Sequence, residues 1–571
     1  MLKIPYGISN FERIRTQGYA YVDKTHFIEQ VEYTTYPLHL RPRRFGKSLF
    51  VSMLESYYDL AHADKFDELF KGLYIHEFPT ANKNNYYILR FNFSGIETRS
   101  VETVLEGFRV KVQLAVEKVI SKYGLDINLE KSESPATILA SFLSQFEELN
   151  LKQKIYILID EYDHFTNAVL KEGLKGFMTL VTRGGTVRSF YEIIKEKTES
   201  GVVEKFFITG VMSVSLDSMT SGFNIPTKIT NDSRFSDIMG FTSEEVKSLL
   251  DEKFINSKNE TVVLTNDEQD DVYEILRQNY NGYMFAEEVE TKVFNSTLIM
   301  YYLRHYIEEK KHPKKLVDHN LNQSGATIKT IVDIKNRDQN YELIEEIIEN
   351  KKVYATLSES INVDIKYDRN DFITLLFSIG LLTIKESGFQ TIFKMPNKVI
   401  ESVYLEYLYE MVQKNNNYLI DVGIQQAALL EMGENGKIDE ITNIVANFLS
   451  HTSGRNKINF DEKSIKLIYL MLLTATNQYI VYDEWPSRQG YTDLTVFKSP
   501  NSFAKHEYLI ELKYIKISDT TADKIKSEFN KGAKQIAQYM QDNRMKNRPD
   551  LKKFVVVFSG FDVAKMEEIV I

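Results

Sequence analysis

A chain of 571 residues exceeds one ordinary core and, at roughly 150 residues per domain, divides into about three or four units. Its 43% hydrophobic and 26% charged residues are those of a folded chain, and the absence of cysteine excludes disulfides, thiolate zinc sites and a cysteine nucleophile. The net charge of −10 argues against a general polyanion-binding surface, although Lys505–Lys553 holds 12 Lys/Arg against 7 Asp/Glu, a local balance of +5.

The opening stretch MLKIPYGISNFERIRTQG carries charges throughout and lacks the apolar core of a signal peptide. No run of about 18 uncharged apolar residues follows, so a cytoplasmic protein without a membrane span is expected. The first half alternates short apolar runs with amphipathic stretches, the rhythm of an α/β domain. Buried strands are expected at Tyr36–Leu40, Tyr87–Asn92, Ile155–Ile159 and Lys205–Thr209, with helices over Val101–Lys122 and Ala136–Leu149. From about Thr242 the pattern turns helical, opening on a capping box of Thr242 and Glu245. The stretch DFITLLFSIGLLTIKESGFQTIFKMPNKVI reads as a helix, a stop at Gly380 and two strands joined around Ser387–Gly388, the outline of a winged helix. The last unit reads as a helix (Asp461–Thr476), strands at Tyr479–Tyr482, Asp493–Phe497 and Tyr508–Lys513, a helix (Ala522–Asn543) and a closing strand (Phe554–Phe558).

Two constellations carry chemistry. RPRRFGKS (Arg41–Ser48) stands between an apolar strand and the helical LFVSMLESYYDL, the context of a phosphate-binding loop. Gly46 permits close backbone approach, Lys47 neutralises β/γ oxygens, Ser48 ligates Mg²⁺, and the helix N-terminus adds its aligned amides. Arg41 replaces the first glycine of that motif. Ile155–Ile159 runs into Asp160-Glu161, an apolar strand ending in acids: Asp160 would hold magnesium and Glu161 would polarise the attacking water. Thr209, closing a third strand, would sit beside the γ-phosphate. Arg188 and Arg234 are candidates for the arginine that hydrolysis also needs.

The second constellation is Asp493 before one strand and Glu511-Leu512-Lys513 within the next. Strand alternation puts Glu511 and Lys513 on one face, and a hairpin brings Asp493 beside them. Asp493 and Glu511 would hold a hard divalent cation, Mg²⁺ or Mn²⁺, while Lys513 positions water or stabilises the developing charge. Glu462 would complete the acidic cluster and Gln535 would orient water or the substrate backbone. An exposed, salt-bridged strand face is the competing reading.

RPRRFGKSL with the preceding YVDKT (Tyr21–Thr25) resembles the family of AAA-ATPase-like proteins with a C-terminal PD-(D/E)XK nuclease domain. FITGV (Phe207–Val211), GFTSEEV (Gly240–Val246), YNGYMF (Tyr280–Phe285), Trp485-Pro486-Ser487, GYTDLTVF and YLIELKY extend that resemblance along the chain. The family carries an arginine-rich loop where a glycine usually opens the motif, and the resemblance implies the nucleotide role for Lys47, Ser48, Asp160 and Glu161 and the nuclease role for Asp493, Glu511 and Lys513; Arg41, Arg44 and Gly46 are expected to contact the nucleotide as well. Two positions depart from it: Thr492 stands where an arginine usually precedes the first nuclease aspartate, and Phe294-Asn295-Ser296-Thr297 replaces a Tyr-Asn-Pro-Trp-Ser-like lid string.

The expected fold class is α/β, with a P-loop NTPase core and parallel sheet (1–240), a helical lid and winged-helix-like region (241–420), and a restriction-endonuclease-like α/β domain of PD-(D/E)XK type (421–571). The function expected is ATP binding and hydrolysis controlling a metal-dependent nuclease that acts on nucleic acid, DNA (or RNA) with DNA foremost, in a chain able to form a homo-oligomer. The alternatives are an ATP-gated scaffold or sensor that binds nucleic acid or protein without cleaving, and a nuclease with a static nucleotide site.

Overall fold

The computed structural model describes residues 1–97, 99–129, 132, 134–164, 185–212, 223–313, 315–316, 323–334, 336–358, 367–416, 420–452, 462–474, 478–483, 485–487, 490–499 and 502–570. The chain divides into two compact units, residues 1–308 with 326–400, and residues 309–325 with 401–571.

The first unit is built on β1 (Pro37–Leu40), α1 (Lys47–Tyr58), β2 (Tyr86–Asn92), α2 (Val101–Tyr123), α3 (Pro135–Glu148), β3 (Lys154–Asp160), α4 (Thr186–Glu199), β4 (Val203–Gly210) and β5 (Thr227–Lys228). Among the described residues the strands form one sheet in the order β2-β3-β4-β1-β5, and every neighbouring pair is parallel. Near-continuous apolar runs such as IYILI are what a sheet covered on both faces requires. Leu38, Leu40, Leu89, Phe91, Ile155, Ile157, Ile159, Phe206 and Ile208 enter one core with α2, α3 and α4. Alternate residues face α1, where Phe50 meets Phe207 and Tyr58 meets Tyr156. α2 presents Val104, Phe108, Val112, Val116 and Val119 at helical spacing. Its Ser100/Thr103 capping box and left-handed Gly124 (φ +61°) set its two ends.

Helices α5 (Ser243–Leu250), α6 (Asn266–Tyr280) and α7 (Ser296–Glu309) follow, with a short hairpin of β6 (Phe254–Ile255) and β7 (Thr261–Val262) after α5. The Thr242/Glu245 capping box opens α5 as the sequence leads one to expect. Beyond α8 (Arg337–Asn350) and β8 (Val353–Ala355), α9 (Arg369–Ser378) stops at Gly380 (φ +81°) and leads into β9 (Thr383–Glu386) and β10 (Thr391–Lys394). These strands form an antiparallel sheet in the order β8-β10-β9, the expected helix and hairpin with one strand added.

α10 (Lys398–Asn416), α11 (Val422–Asn435), α12 (Asp439–Thr452) and α13 (Glu462–Thr474) lead into the second sheet. Its strands are β11 (Tyr479–Asp483), β14 (Leu494–Lys498), β15 (Glu507–Ile515), β16 (Leu551–Ser559) and β17 (Asp562–Glu568) in spatial order, with β12 (Pro486–Ser487) and β13 (Gly490–Tyr491) as a separate two-stranded ribbon. Among the described residues of this sheet only β15 and β16 run parallel, joined by a connection that contains α14 (Ala522–Tyr539). The helix expected to reach Asn543 ends at Tyr539, and Asp542 caps a separate turn at Asn543–Lys546. β17 goes unseen in the sequence because DVAKMEE has no apolar run; it is a charged edge strand, protected from further pairing by those charges. Residue 461 and residues 475–477, included in the expected helix and its flank, lie outside the described residues.

Gly282, just after α6, has φ +100°, and a β-carbon there would stand 2.1 Å from the Pro396 carbonyl oxygen. Gly282→Ala is therefore expected to destabilise the first unit by at least about 2 kcal/mol in denaturant unfolding. A loss below about 0.5 kcal/mol would mean the two segments separate freely.

Candidate functional site

β1, β4 and β3 end side by side, with Leu40 opposite Gly210 and Ile159 opposite Ile208. The C-terminal edge of a parallel sheet is where ligands bind in such folds. A cavity of ≈ 390 Å³ opens there, within the usual range for a small-molecule site. Its walls are the loop Arg43–Ser48, Glu161, the N-terminal segment at Ile8 and Val22, the Ile238–Phe241 stretch and Met300 on α7.

Gly46 turns the loop with φ +92° and caps α1, a conformation that favours glycine. Lys47 is buried, and its ammonium donates to the carbonyls of Arg41 and Pro42, both at 2.9 Å. An ammonium has three donors, so one stays available to a phosphate. Burial lowers the Lys47 pKa to about 8, against the opposing pull of Asp163, Asp160 and Glu161. Ser48, half-buried, lines the cavity.

Asp160 is fully buried and neither carboxylate oxygen has a well-directed hydrogen bond among the described residues. Burial raises its pKa, while the Ser48 hydroxyl and Arg90, 3.8 Å away, pull it down. A buried acid without a strong partner, beside a hydroxyl and an ammonium, suits a hard cation bound with phosphate. Glu161 takes the left-handed φ of +52° and lines the cavity. The hydrogen bond from His164, whose Nδ1 is 3.3 Å from Oε2, lowers its pKa and keeps it ionised. His164 and Asp163 are contributions the sequence reading missed. Asp163, buried, accepts from the backbone N–H groups of Val211 (3.0 Å) and Met212 (2.8 Å), tying the end of β3 to the end of β4.

Two expected nucleotide contacts, Arg41 and Thr209, have other occupations, whereas Arg44 lines the cavity. Arg41 is 1% exposed; its guanidinium donates to the carbonyls of Leu40, Thr230, Phe235 and Ser236 and stacks on Phe285, 4.2 Å from the ring centre. Burial lowers its pKa to about 9. Thr209 donates its hydroxyl to the His39 carbonyl at 2.7 Å, bracing neighbouring strands. Arg44 turns the chain with φ +74°, and its carbonyl accepts from Ser296 Oγ and the Thr297 N–H, both 3.2 Å. The string Phe294–Thr297 thus holds the loop from α7, with Asn295 Nδ2 reaching the Arg43 carbonyl at 3.4 Å. Arg188 and Arg234 pair locally with Glu192 and Asp232, and neither lines the cavity.

In the second unit the β14–β15 register, Leu494 opposite Ile510, extends by one step to put Asp493 across from Glu511. The Leu512 N–H donates to Asp493 Oδ2 at 2.9 Å. Lys513 Nζ is 2.8 Å from Glu511 Oε1 and 3.7 Å from Asp493 Oδ2. Glu511 is 1% exposed, and its Oε2 has no well-directed partner among the described residues. Burial and the adjoining Asp493 carboxylate raise its pKa to about 8. Burial pulls Lys513 down, but Glu511 and Asp493 outweigh it and raise the ammonium. The all-oxygen donor pair with one orphaned buried oxygen fits a hard divalent cation.

α14 closes this site from one side. Gly532 makes room: a β-carbon there would meet Val555 at 2.8 Å and stand 3.4 Å from Glu511 Cγ. Gln535 and Tyr539 follow one and two turns on; they hydrogen-bond each other, and the Tyr539 hydroxyl donates to the Tyr491 carbonyl at 2.7 Å. Burial and the charges of Glu511 and Asp493 push the phenol up to about 12, which places Tyr539, unanticipated from the sequence, at the edge of the site. Glu462 is near enough to help raise Lys513, yet no group of three or more acidic or histidine side chains able to hold a metal occurs among the described residues. Thr492 is buried with its hydroxyl on Thr495 at 2.8 Å.

Residues 5–220 match the family described as AAA-ATPase-like, a predicted AAA-ATPase, and residues 460–568 match the PD-(D/E)XK nuclease superfamily. The chain thus carries an AAA-ATPase-like domain and a C-terminal nuclease-superfamily domain on one α/β polypeptide. A protein of Azotobacter chroococcum mcd 1, described as an uncharacterized protein in the vnfD 5′ region, is 30% identical over 323 residues. That match covers 55% of this chain and 55% of the relative, so the chain spans about half the length of the curated relative it matches. A Walker-type ATPase of Pyrococcus abyssi is similar with a TM-score of 0.37 and 12% identity, over 67% of this chain and 94% of the other.

Two outcomes follow from the buried charges. Arg41→Ala leaves four carbonyls without their donor and is expected to cost about 3–5 kcal/mol in unfolding, with no rescue by Arg41→Lys. A stable Arg41→Lys protein would show that charge alone suffices there. Glu511 holds its proton up to about pH 8 in the folded chain and releases it near 4.5 when unfolded, so folded protein binds more protons between those values. Stability in EDTA should therefore fall as pH rises from about 5 to 8, and Glu511→Gln should flatten that slope. An unchanged slope in the variant would assign the effect to another group.

Proposed function

We propose that the first unit binds and hydrolyses ATP and that the second is a metal-dependent nuclease acting on phosphodiester bonds of DNA or RNA, DNA foremost. The observation that carries the nuclease reading is the Asp493–Glu511–Lys513 cluster around the buried Glu511, with a carboxylate oxygen held ready and an ammonium beside it. A divalent cation held by Asp493 and Glu511 supplies Lewis acidity at the scissile phosphate. Lys513 stabilises the charge developing there, and Gln535 with Tyr539 orients the substrate from α14.

At the first site Lys47 and the amides opening α1 bind the β/γ-phosphates, Ser48 and Asp160 hold the accompanying magnesium, and Glu161 accepts the proton of the attacking water. The apolar wall of Ile8, Val22, Ile238, Met239, Phe241 and Met300 suits the nucleobase. Among the described residues no helix is long and apolar enough to cross a membrane. ATP-driven control of the nuclease and assembly into a homo-oligomer belong to the same reading.

One observation favours a second reading, an ATP-gated module that binds nucleic acid without cutting it: Asp493 and Glu511 gain no third side-chain ligand among the described residues. Incubation of plasmid and single-stranded DNA with Mg²⁺ or Mn²⁺, with and without ATP, separates the two. Cleavage by the wild type, reduced at least about 10²-fold in Glu511→Ala, is the expected outcome. Retention of DNA without a break in any lane would favour the binding module. Equal cleavage by Lys47→Ala and wild type, with and without ATP, would end the idea that ATP controls the nuclease.

A further inference from the structure

We propose that Arg43 is the arginine that reaches the γ-phosphate and stabilises the charge developing there during hydrolysis. This rests on the ATPase reading above. The loop carries three arginines in three environments. Arg41 is sealed in the interior with its donors on four carbonyls. Arg44 is half-buried at the left-handed turn. Arg43 between them is exposed and lines the cavity, and among the described residues its side chain enters no hydrogen bond or ion pair.

Arg43 lines the same cavity as Lys47 and Glu161, so its guanidinium opens onto the space of the phosphate-binding ammonium and the proton acceptor. Two cations that repel across one cleft form an arrangement that a polyanion relieves. The backbone beneath Arg43 is anchored: Pro42 fixes the preceding φ, the Pro42 carbonyl accepts from Lys47, and Asn295 holds the Arg43 carbonyl. A free guanidinium on a fixed base is what the role requires, whereas Arg188 and Arg234 are occupied by local carboxylates.

In the step assigned, the water oxygen bonds to the γ-phosphorus as the bond to the bridging β–γ oxygen breaks. The electron pair leaves with ADP, and the water proton passes to Glu161. Arg43 stays protonated throughout and donates N–H groups to the γ-oxygens and the bridging oxygen, whose charge grows as the bond breaks.

The test compares wild type, Arg43→Ala and Arg43→Lys in steady-state ATP hydrolysis, ATP binding and binding of ADP with aluminium fluoride. Arg43→Ala is expected to lower kcat about 10³-fold and to lose affinity for the aluminium fluoride complex, while ATP affinity changes less than about 10-fold. Millimolar guanidinium should restore part of the Arg43→Ala rate, which a purely structural role would not allow, and Arg43→Lys should stay impaired. Unchanged kcat, or equal losses in ATP and transition-state mimic affinity, would overturn the assignment. Wild-type protein that binds ATP without turnover would defeat the hydrolysis reading, yet selective loss of the mimic in Arg43→Ala would still uphold the contact. Wild-type protein that binds no nucleotide would overturn both.

Discussion

A guanidinium buried inside a phosphate-binding loop organises the first unit. Where such loops usually begin with a glycine, Arg41 turns inward and gathers carbonyls from Leu40, Thr230, Phe235 and Ser236, with Phe285 stacked on its face. The desolvation this costs is offset by four hydrogen bonds from its two terminal nitrogens and by the Phe285 ring, while its Nε has no partner among the described residues. One side chain thereby fixes the end of β1 against the segment that leads into the wall of the cavity. The ammonium of Lys47, the turn at Gly46 and the contacts from Ser296 and Thr297 all refer to a loop made rigid in this way.

The second unit solves the opposite problem, since its charges are gathered to be used. Glu511 is buried with Asp493 and Lys513 half-buried beside it, and burial together with repulsion from Asp493 keeps a proton on Glu511. Gly532 is the enabling residue, because any side chain there would press on Val555 and crowd the Glu511 stem. The same glycine lets α14 deliver Gln535 and Tyr539 to the rim.

Much of this was legible in the sequence. The parallel strands announced themselves as apolar runs, the capping box of α5 as Thr242 and Glu245, and the acidic pair with its lysine as alternation along one strand. What stayed hidden depends on contacts far apart in the chain. No local pattern says that Arg41 points inward while Arg43 points out, since its acceptors lie some 190 residues away. Thr209 looked free to face a phosphate because only the paired strand shows that the His39 carbonyl takes its hydroxyl. Tyr539 could have been sought one helical turn beyond Gln535, and His164 three residues beyond Glu161; both obey spacings a sequence does display.

The interposed strand β4 has a consequence of its own. Because it lies between β1 and β3, the loop and the acids are two strand spacings apart, roughly 10 Å. That gap is set by main-chain hydrogen bonds rather than by side chains, so it is indifferent to substitution. Point changes at Glu161 or Arg43 remove a charge from the cradle, but its width survives them, and only gain or loss of a whole strand would alter it. The spacing of the cradle and the groups set across it are therefore separable traits in this architecture, with the first written in the backbone and the second in a few replaceable side chains.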